Sequence, residues 1–207
     1  MNFTCSPMQL MVVSSAENVA DEPDFINALF NAGLFRFHLR KPLSSVQEVC
    51  VLLNNLNPAF YHRIALHQHH EVAQTYGITR LHYTEQARKQ TGPELLELQK
   101  AEGYKLSTSI HNMQLLPSLT VFDYALFGPV FDSLSKPGHQ SCVGADFRLN
   151  KQSAQPKVIA LGGVEAQYLP QVKTMGFDGA AVLGTIWNQP QNALQTFKQL
   201  KSSIAAL

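Results

Sequence analysis

Lys157–Val158–Ile159–Ala160–Leu161–Gly162–Gly163–Val164 and, one unit later, Gly179–Ala180–Ala181–Val182–Leu183–Gly184–Thr185 decide the fold of this chain. Each is a short unbroken apolar run that ends in glycine and leads into a helix-like segment. Such a run is too short for a helix and lacks the alternation of a strand with one wet face. It reads as a strand buried on both sides, the kind found in parallel sheets covered by helices. Glycine at the strand-to-helix turn lets backbone N–H groups approach an anion closely, and a following helix N-terminus adds positive potential. Glycines that only make tight turns are the plainer reading of one such pair, and two consecutive pairs favour a phosphate site.

The same plan extends backwards through the chain. Further strand candidates are Gln9–Val13, Leu34–Leu39, Arg63–Leu66, Arg80–His82, Lys105–Thr108 and Tyr124–Phe127. Amphipathic stretches lie between most of them, at Phe25–Ala32, Val46–Leu56, Pro93–Lys100, Tyr168–Met175 and Ala193–Leu207. Ser44 or Ser45 is placed to cap the second helix, with Glu48 available to close a capping box. Gly33, Gly77, Gly103 and Gly176 fall where a helix hands over to a strand, the place for a left-handed C-cap. Strand and helix alternating at a period of about 25 residues predict a parallel α/β sheet. Closure into a single-domain (β/α)8 TIM barrel over residues 1–207 is the economical arrangement, because an open sheet of that size needs covered faces and protected edges. A flavodoxin-like or Rossmann-like open sheet is the competitor.

In a barrel, chemistry is expected on the loops that follow the strands. Gly162, Gly163, Leu183 and Gly184 then form a phosphate corner after the last two strands. Ser133, Ser135 and Lys136 follow the sixth strand, offering two hydroxyl donors and a point charge suited to phosphate. They open Asp132–Gln155, the longest stretch without clear periodicity, as an active-site loop would be. Arg40 and Lys41 follow the second strand and suit a second anion, although a surface pair reaching out from a strand end fits them too.

Histidine placement is the unusual feature. His38, His67 and His82 fall at or just past the ends of the second, third and fourth strands, His111 follows the fifth, and His69 and His70 lie just beyond His67. Converging histidines can ligate zinc, but no aspartate follows those strand ends to support a metal shell, so no metal is expected. Acid–base work or hydrogen bonding to a heterocycle is the preferred reading.

Bulk composition limits the partners. The chain is 45% hydrophobic and 15% charged with a net charge of +1, enough apolar material for a core and too little charge to attract nucleic acid or a membrane surface. Three cysteines without close spacing give neither a disulfide framework nor a zinc knuckle, and Cys50 reads as core filler on a helix face. The N-terminal stretch MNFTCSPMQL lacks a basic region followed by an apolar run, and no stretch approaches membrane-spanning length, so a cytosolic location is expected.

In order, these segments resemble the thiamine-phosphate synthase/TenI family over almost the whole chain. The family's Gln-x-Arg-x-Lys run is similar to His38–Leu39–Arg40–Lys41–Pro42, and its His-Leu-Gly segment to Leu81–His82–Tyr83. Its serine after strand five corresponds to Ser109, and its Gly-Pro-Val-Phe-x-Thr-x-Thr-Lys resembles Gly128–Lys136. Its last two phosphate loops resemble Ala160–Val164 and Ala181–Gly184.

The resemblance implies a barrel of thiamine biosynthesis whose partner is a small phosphorylated molecule, with a homodimer left open. Arg40, Lys41, Ser109, Ser133, Ser135, Lys136, Gly162, Gly163, Leu183 and Gly184 would hold the ligand. In the synthases, aspartates hold the Mg²⁺ that carries the leaving pyrophosphate. Here the Asn-Asp pair after strand three is His67–Gln68, and the aspartate after strand four falls at Ala87. A neutral amide and a methyl group cannot replace two carboxylates around a hard cation.

The family's TenI branch, which tautomerises a carboxythiazole phosphate, needs an acid/base and no metal. It commonly has histidine where this chain has Pro129, so His111, His67 or His38 would move the proton. A TenI-like enzyme without a cofactor is thus the leading expectation. The alternatives are a condensing synthase, which would need Mg²⁺, a non-catalytic binder of thiazole or thiamine phosphate, and more remotely a metal-dependent hydrolase built on the histidines.

Overall fold

A computed structural model describes residues 8–132, 141–144, 146–150, 152 and 155–207. Eight parallel strands close on themselves in sequence order: β1 (Gln9–Val13), β2 (Arg36–Leu39), β3 (Ile64–Leu66), β4 (Arg80–Tyr83), β5 (Lys105–Ile110), β6 (Tyr124–Phe127), β7 (Lys157–Leu161) and β8 (Gly179–Val182). The seam is a parallel ladder pairing Gln9 with Gly179 and Val12 with Val182. The architecture is therefore the expected (β/α)8 barrel.

Around it run α1 (Glu22–Asn31), α2 (Val46–Asn54), α3 (Glu85–Gln90), α4 (Pro93–Ala101), α5 (Leu169–Thr174), α6 (Gly184–Trp187) and α7 (Ala193–Ala205). Short 3-10 turns at His70–Val72 and Met113–Ser118 lie on the connections after β3 and β5.

The boundaries that differ from expectation have local causes. β2 begins at Arg36 because the chain first finishes α1. Gly33 at φ 93° lets its N–H reach Phe30 O at 2.9 Å while Leu34 N–H reaches Leu29 O at 3.0 Å, and this 6→1 closure takes Leu34 out of the ladder. α1 starts earlier than the apolar stripe suggests, at Glu22, with Pro23 fixing its first turn. α3 was not anticipated: Glu-Gln-Ala-Arg-Lys-Gln shows no apolar periodicity, and its start is marked by Thr84, whose Oγ1 accepts Ala87 N–H at 3.1 Å. The capping box of α2 forms at Ser45, whose N–H donates to Glu48 Oε2 at 2.7 Å.

Strand alternation sorts side chains into two layers. Outward-facing Phe37, Leu39, Ile64, Leu66, Leu106, Val158, Ala160, Ala180 and Val182 pack in the layer that includes Ile26, Leu29, Phe30, Val172 and Phe197 from the helices. Inward-facing Met11, Val13, Leu126, Ile159 and Ala181 make a smaller cluster with Tyr124 in the lumen. The lumen side chains of β2, β4 and β5, by contrast, are polar: His38, His82 and Ser107 are all buried. The interior is thus half apolar and half hydrogen-bonded, which is uncommon for a layer usually filled with branched aliphatics.

Candidate functional site

The loops after β5 to β8 form one connected corner of the barrel mouth. His111, exposed at the end of β5, shares its Nδ1 hydrogen bond with Gly128 O at the end of β6. The chain then crosses onto the next loop: Val130 N–H donates to Leu161 O at 2.9 Å and Phe131 N–H to Gly162 O at 3.1 Å. Thr185 Oγ1 donates to Val164 O at 2.7 Å, tying the loop after β7 to α6. Gly184 and Thr185 head α6, where the first amides of a helix have no intrahelical acceptor.

Glycine is demanded at this corner by sterics. Gly162 and Gly163 have φ of 93° and 63°. A Cβ on Gly162 would meet Pro129 Cα at 2.7 Å, and one on Gly163 would meet Phe131 O at 2.6 Å. Close approach of two backbone segments is by itself sufficient reason for both glycines. Leu183 precedes α6 and packs against the lumen cluster.

Beneath the mouth lies a hydrogen-bonded core of three histidines. His38 Nδ1 and His67 Nε2 are 2.9 Å apart, and His38 Nε2 is 3.0 Å from Tyr124 Oη. His82 Nδ1 lies 2.9 Å from Ser107 Oγ, and its Nε2 lies 2.9 Å from Ser109 Oγ. The His67 and His82 rings stack with centroids 3.9 Å apart, and His38 stands edge-on to both.

Burial sets the charge state of these groups. It pulls the His38 imidazole down to about 3. His67 and His82 are held well below the ordinary histidine value, by burial first and then by the neighbouring imidazoles and Arg40. All three rings are neutral at neutral pH, so each has one N–H and one lone pair. His67 Nδ1 is buried with no hydrogen-bond partner among the described residues. Burial also pushes the Tyr124 phenol up, keeping it protonated.

The expected pair of mouth cations divides. Arg40 is half-buried and has no ion-pair partner among the described residues; its backbone N–H is fixed by Ser14 Oγ at 2.8 Å. Lys41 corrects the expectation. It is only 2% exposed, and its Nζ sits 2.6 Å from Glu22 Oε2 and 2.8 Å from Glu17 O. The side chain after Arg40 points to the opposite face of the extended chain, and here it meets a carboxylate at the start of α1 rather than the lumen.

Of the other expected residues, Ser109 is half-buried against His82, while Ser133, Ser135 and Lys136 lie outside the described residues. His69 and His70 serve their loop: His69 Nε2 bonds Ser44 O at 2.9 Å, and His70 Nε2 bonds Leu66 O at 3.0 Å.

Four groups escaped the sequence reading. Ser107 shares the face of Ser109 two residues on, a signal that alternation carried. Tyr124 resembles an ordinary buried aromatic. Arg88, whose Nη1 donates to Thr108 Oγ1 at 2.7 Å and Ser109 O at 2.9 Å, sits on the unanticipated α3. Glu22 is a helix-start acid with nothing local to mark it as a partner of Lys41.

The fold and the mouth place the chain among (β/α)8 barrels with polar groups gathered at the C-terminal ends of their strands. It belongs to the thiamine monophosphate synthase family, whose model matches residues 10–186. A thiamine-phosphate synthase of Koribacter versatilis is 29% identical over 123 residues, 58% of this chain and 54% of that protein. One of Actinobacillus pleuropneumoniae is 35% identical over 66 residues, 31% of this chain and 30% of that protein. The chain thus spans between about a third and half the length of these two curated relatives.

Among solved structures, thiamine phosphate pyrophosphorylase of Bacteroides thetaiotaomicron superposes with a TM-score of 0.74 at 24% identity, covering 97% of this chain and 98% of that one. The Pyrococcus furiosus enzyme of the same name gives 0.74 at 15% identity, covering 96% of each chain. At these identities the likeness is one of fold. Among the described residues no helix is long and apolar enough to cross a membrane.

Proposed function

We propose that this chain is a TenI-type enzyme of thiamine biosynthesis, a single barrel domain working in the cytosol on a carboxythiazole phosphate and needing no cofactor. The observation that carries the reading is the absence of Mg²⁺ ligands where the synthases are expected to hold them. His67 is locked to His38, Gln68 Oε1 accepts Lys41 N–H at 3.0 Å, and Ala87 lies inside α3. The carboxylates nearest those positions in sequence, Glu71 and Glu85, pair with His69 and Lys89.

Tautomerisation needs one group to take a proton from a ring atom and return it to another. His111 suits that task. Its Nδ1–H donates to Gly128 O, which leaves Nε2 as a lone pair at the exposed mouth. His38 and His67, the other two candidates, are closed off from solvent and neutral. The phosphate is assigned to the corner of Gly162, Gly163, Leu183 and Gly184 with Ser133, Ser135 and Lys136, while Arg40 and Ser109 face the heterocycle and its carboxylate.

A condensing synthase is the second reading, favoured by the names of the relatives. Incubation with pyrimidine pyrophosphate, thiazole phosphate and Mg²⁺ separates the two. The proposal expects no thiamine phosphate together with a raised melting temperature in thiazole phosphate alone. Thiamine phosphate formed at a useful rate overturns the TenI-type reading. Neither condensation nor tautomerisation of the carboxythiazole phosphate, alongside a retained melting shift, makes the chain a binder only.

A further inference from the structure

We propose that His38, His67 and His82 form a three-imidazole site for a divalent transition-metal ion of the zinc type, deep in the lumen and separate from the phosphate corner. The inference rests on the histidine geometry alone and stands or falls independently of the thiazole reading.

One nitrogen of each ring lies within 4.8 Å of the corresponding nitrogens of the other two. Zinc bound at about 2.0–2.1 Å to each imidazole sets its ligand nitrogens about 3.3 Å apart. His38 Nδ1 and His67 Nε2, at 2.9 Å, stand closer than that spacing, the His82 donor lies within 4.8 Å of both, and because His67 and His82 are stacked the rings turn slightly to aim three lone pairs at one ion. An ion between them replaces the single shared proton of the His38–His67 contact. Each ring would ligate as the neutral form that its burial already favours.

The groups around the rings fit that role. A ligating imidazole usually donates its other N–H to a hydrogen-bonding neighbour. With Nδ1 of His38 turned to the ion, Nε2–H donates to Tyr124 Oη at 3.0 Å. His82 has a serine hydroxyl at 2.9 Å on each nitrogen, so whichever nitrogen ligates, the other keeps its acceptor. His67 Nδ1 is buried with no hydrogen-bond partner among the described residues, so this ring is the one of the three without an outer acceptor for its N–H. Three nitrogen donors without a carboxylate select Zn²⁺, Co²⁺ or Ni²⁺ over Mg²⁺ or Ca²⁺.

The test is Co²⁺ titration of the untagged, chelator-treated full chain, read by visible absorption, with Zn²⁺ competition and X-ray absorption to count nitrogen neighbours. The expected result is one ion per chain with three imidazole ligands, and at least about tenfold weaker binding in His67→Gln and in His82→Gln. A His69→Gln/His70→Gln double variant should bind as the wild type does, because those rings serve the loop. If a buried variant fails to fold, the ligand count on the wild type decides alone. Absence of stoichiometric binding to folded wild type overturns the site, as does a count below three imidazoles, unchanged affinity in folded His67→Gln and His82→Gln, or loss of binding in the His69/His70 variant.

Discussion

His38 Nδ1 lies 2.9 Å from His67 Nε2, joining two adjacent strand ends across the barrel lumen with both rings shut away from solvent. Neither ring has a carboxylate partner among the described residues, so the pair is stable only while neutral, and the fold inherits that condition.

Acid should therefore unfold the metal-free barrel early. The native pKa of His38 is about 3 against an ordinary 6.5, and those of His67 and His82 are also depressed, so the unfolded chain binds protons that the native one does not. Their contribution is fully present above 6.5 and is lost as pH falls toward 3, at about 1.4 kcal/mol per pH unit for each fully depressed group. Urea midpoints measured from pH 8 to 4 should fall steeply below 6.5, and His38→Gln should flatten part of that slope. An unaltered slope in the variant would separate His38 from the acid lability.

Lys41 is expected to act on stability rather than on ligand. Replacing it with Met leaves Glu22 buried and unpaired, a loss of about 3–5 kcal/mol, whereas Lys41→Met with Glu22→Leu should recover most of it. Denaturant titration of the two singles and the double checks this. Losses that simply add would show that the pair at 2.6 Å is not coupled.

Gly163 and Gly77 separate strain from crowding. Both have positive φ, 63° and 61°, but a Cβ at Gly77 meets open space while one at Gly163 strikes the Phe131 and Asp132 carbonyls. Gly77→Ala should cost about 1 kcal/mol, and Gly163→Ala about 2–3 kcal/mol with loss of phosphate-ligand affinity. Equal costs and retained affinity would reduce the Gly162–Gly163 corner to a turn.

For ligand binding, Lys136→Ala should weaken thiazole phosphate by about 1–3 kcal/mol, the range for a lost charge-assisted hydrogen bond. Calorimetry that returns the wild-type affinity removes Lys136 from the site.

His111→Gln should slow tautomerisation by about 10²–10⁴-fold with little change in ligand affinity. Turnover near the wild-type rate would shift the acid/base role to another group.

The barrel was legible because β1, β6, β7 and β8 are apolar runs bounded by turn residues, and those boundaries match residue for residue. β2 was overextended because Leu34 looks like strand in sequence yet is consumed in closing α1. Helix α3 was invisible for want of an apolar stripe. At the site, histidines at successive strand ends signalled convergence, since neighbouring parallel strands deliver equivalent positions to one mouth. What they converge on was not readable: Tyr124 and Ser107 reach them through the ladder register of β4, β5 and β6, which no local pattern encodes. Lys41 misled for the same reason, because the carboxylate that claims it lies in α1 rather than nearby in sequence.

Proton transfer on a thiazole is the central claim, and NMR of the purified protein with the carboxythiazole phosphate tautomer tests it most directly. Conversion to the aromatic tautomer without added metal, abolished in His111→Gln, is the predicted result. A spectrum unchanged beyond the buffer-only rate, under conditions where the ligand demonstrably binds, would contradict it.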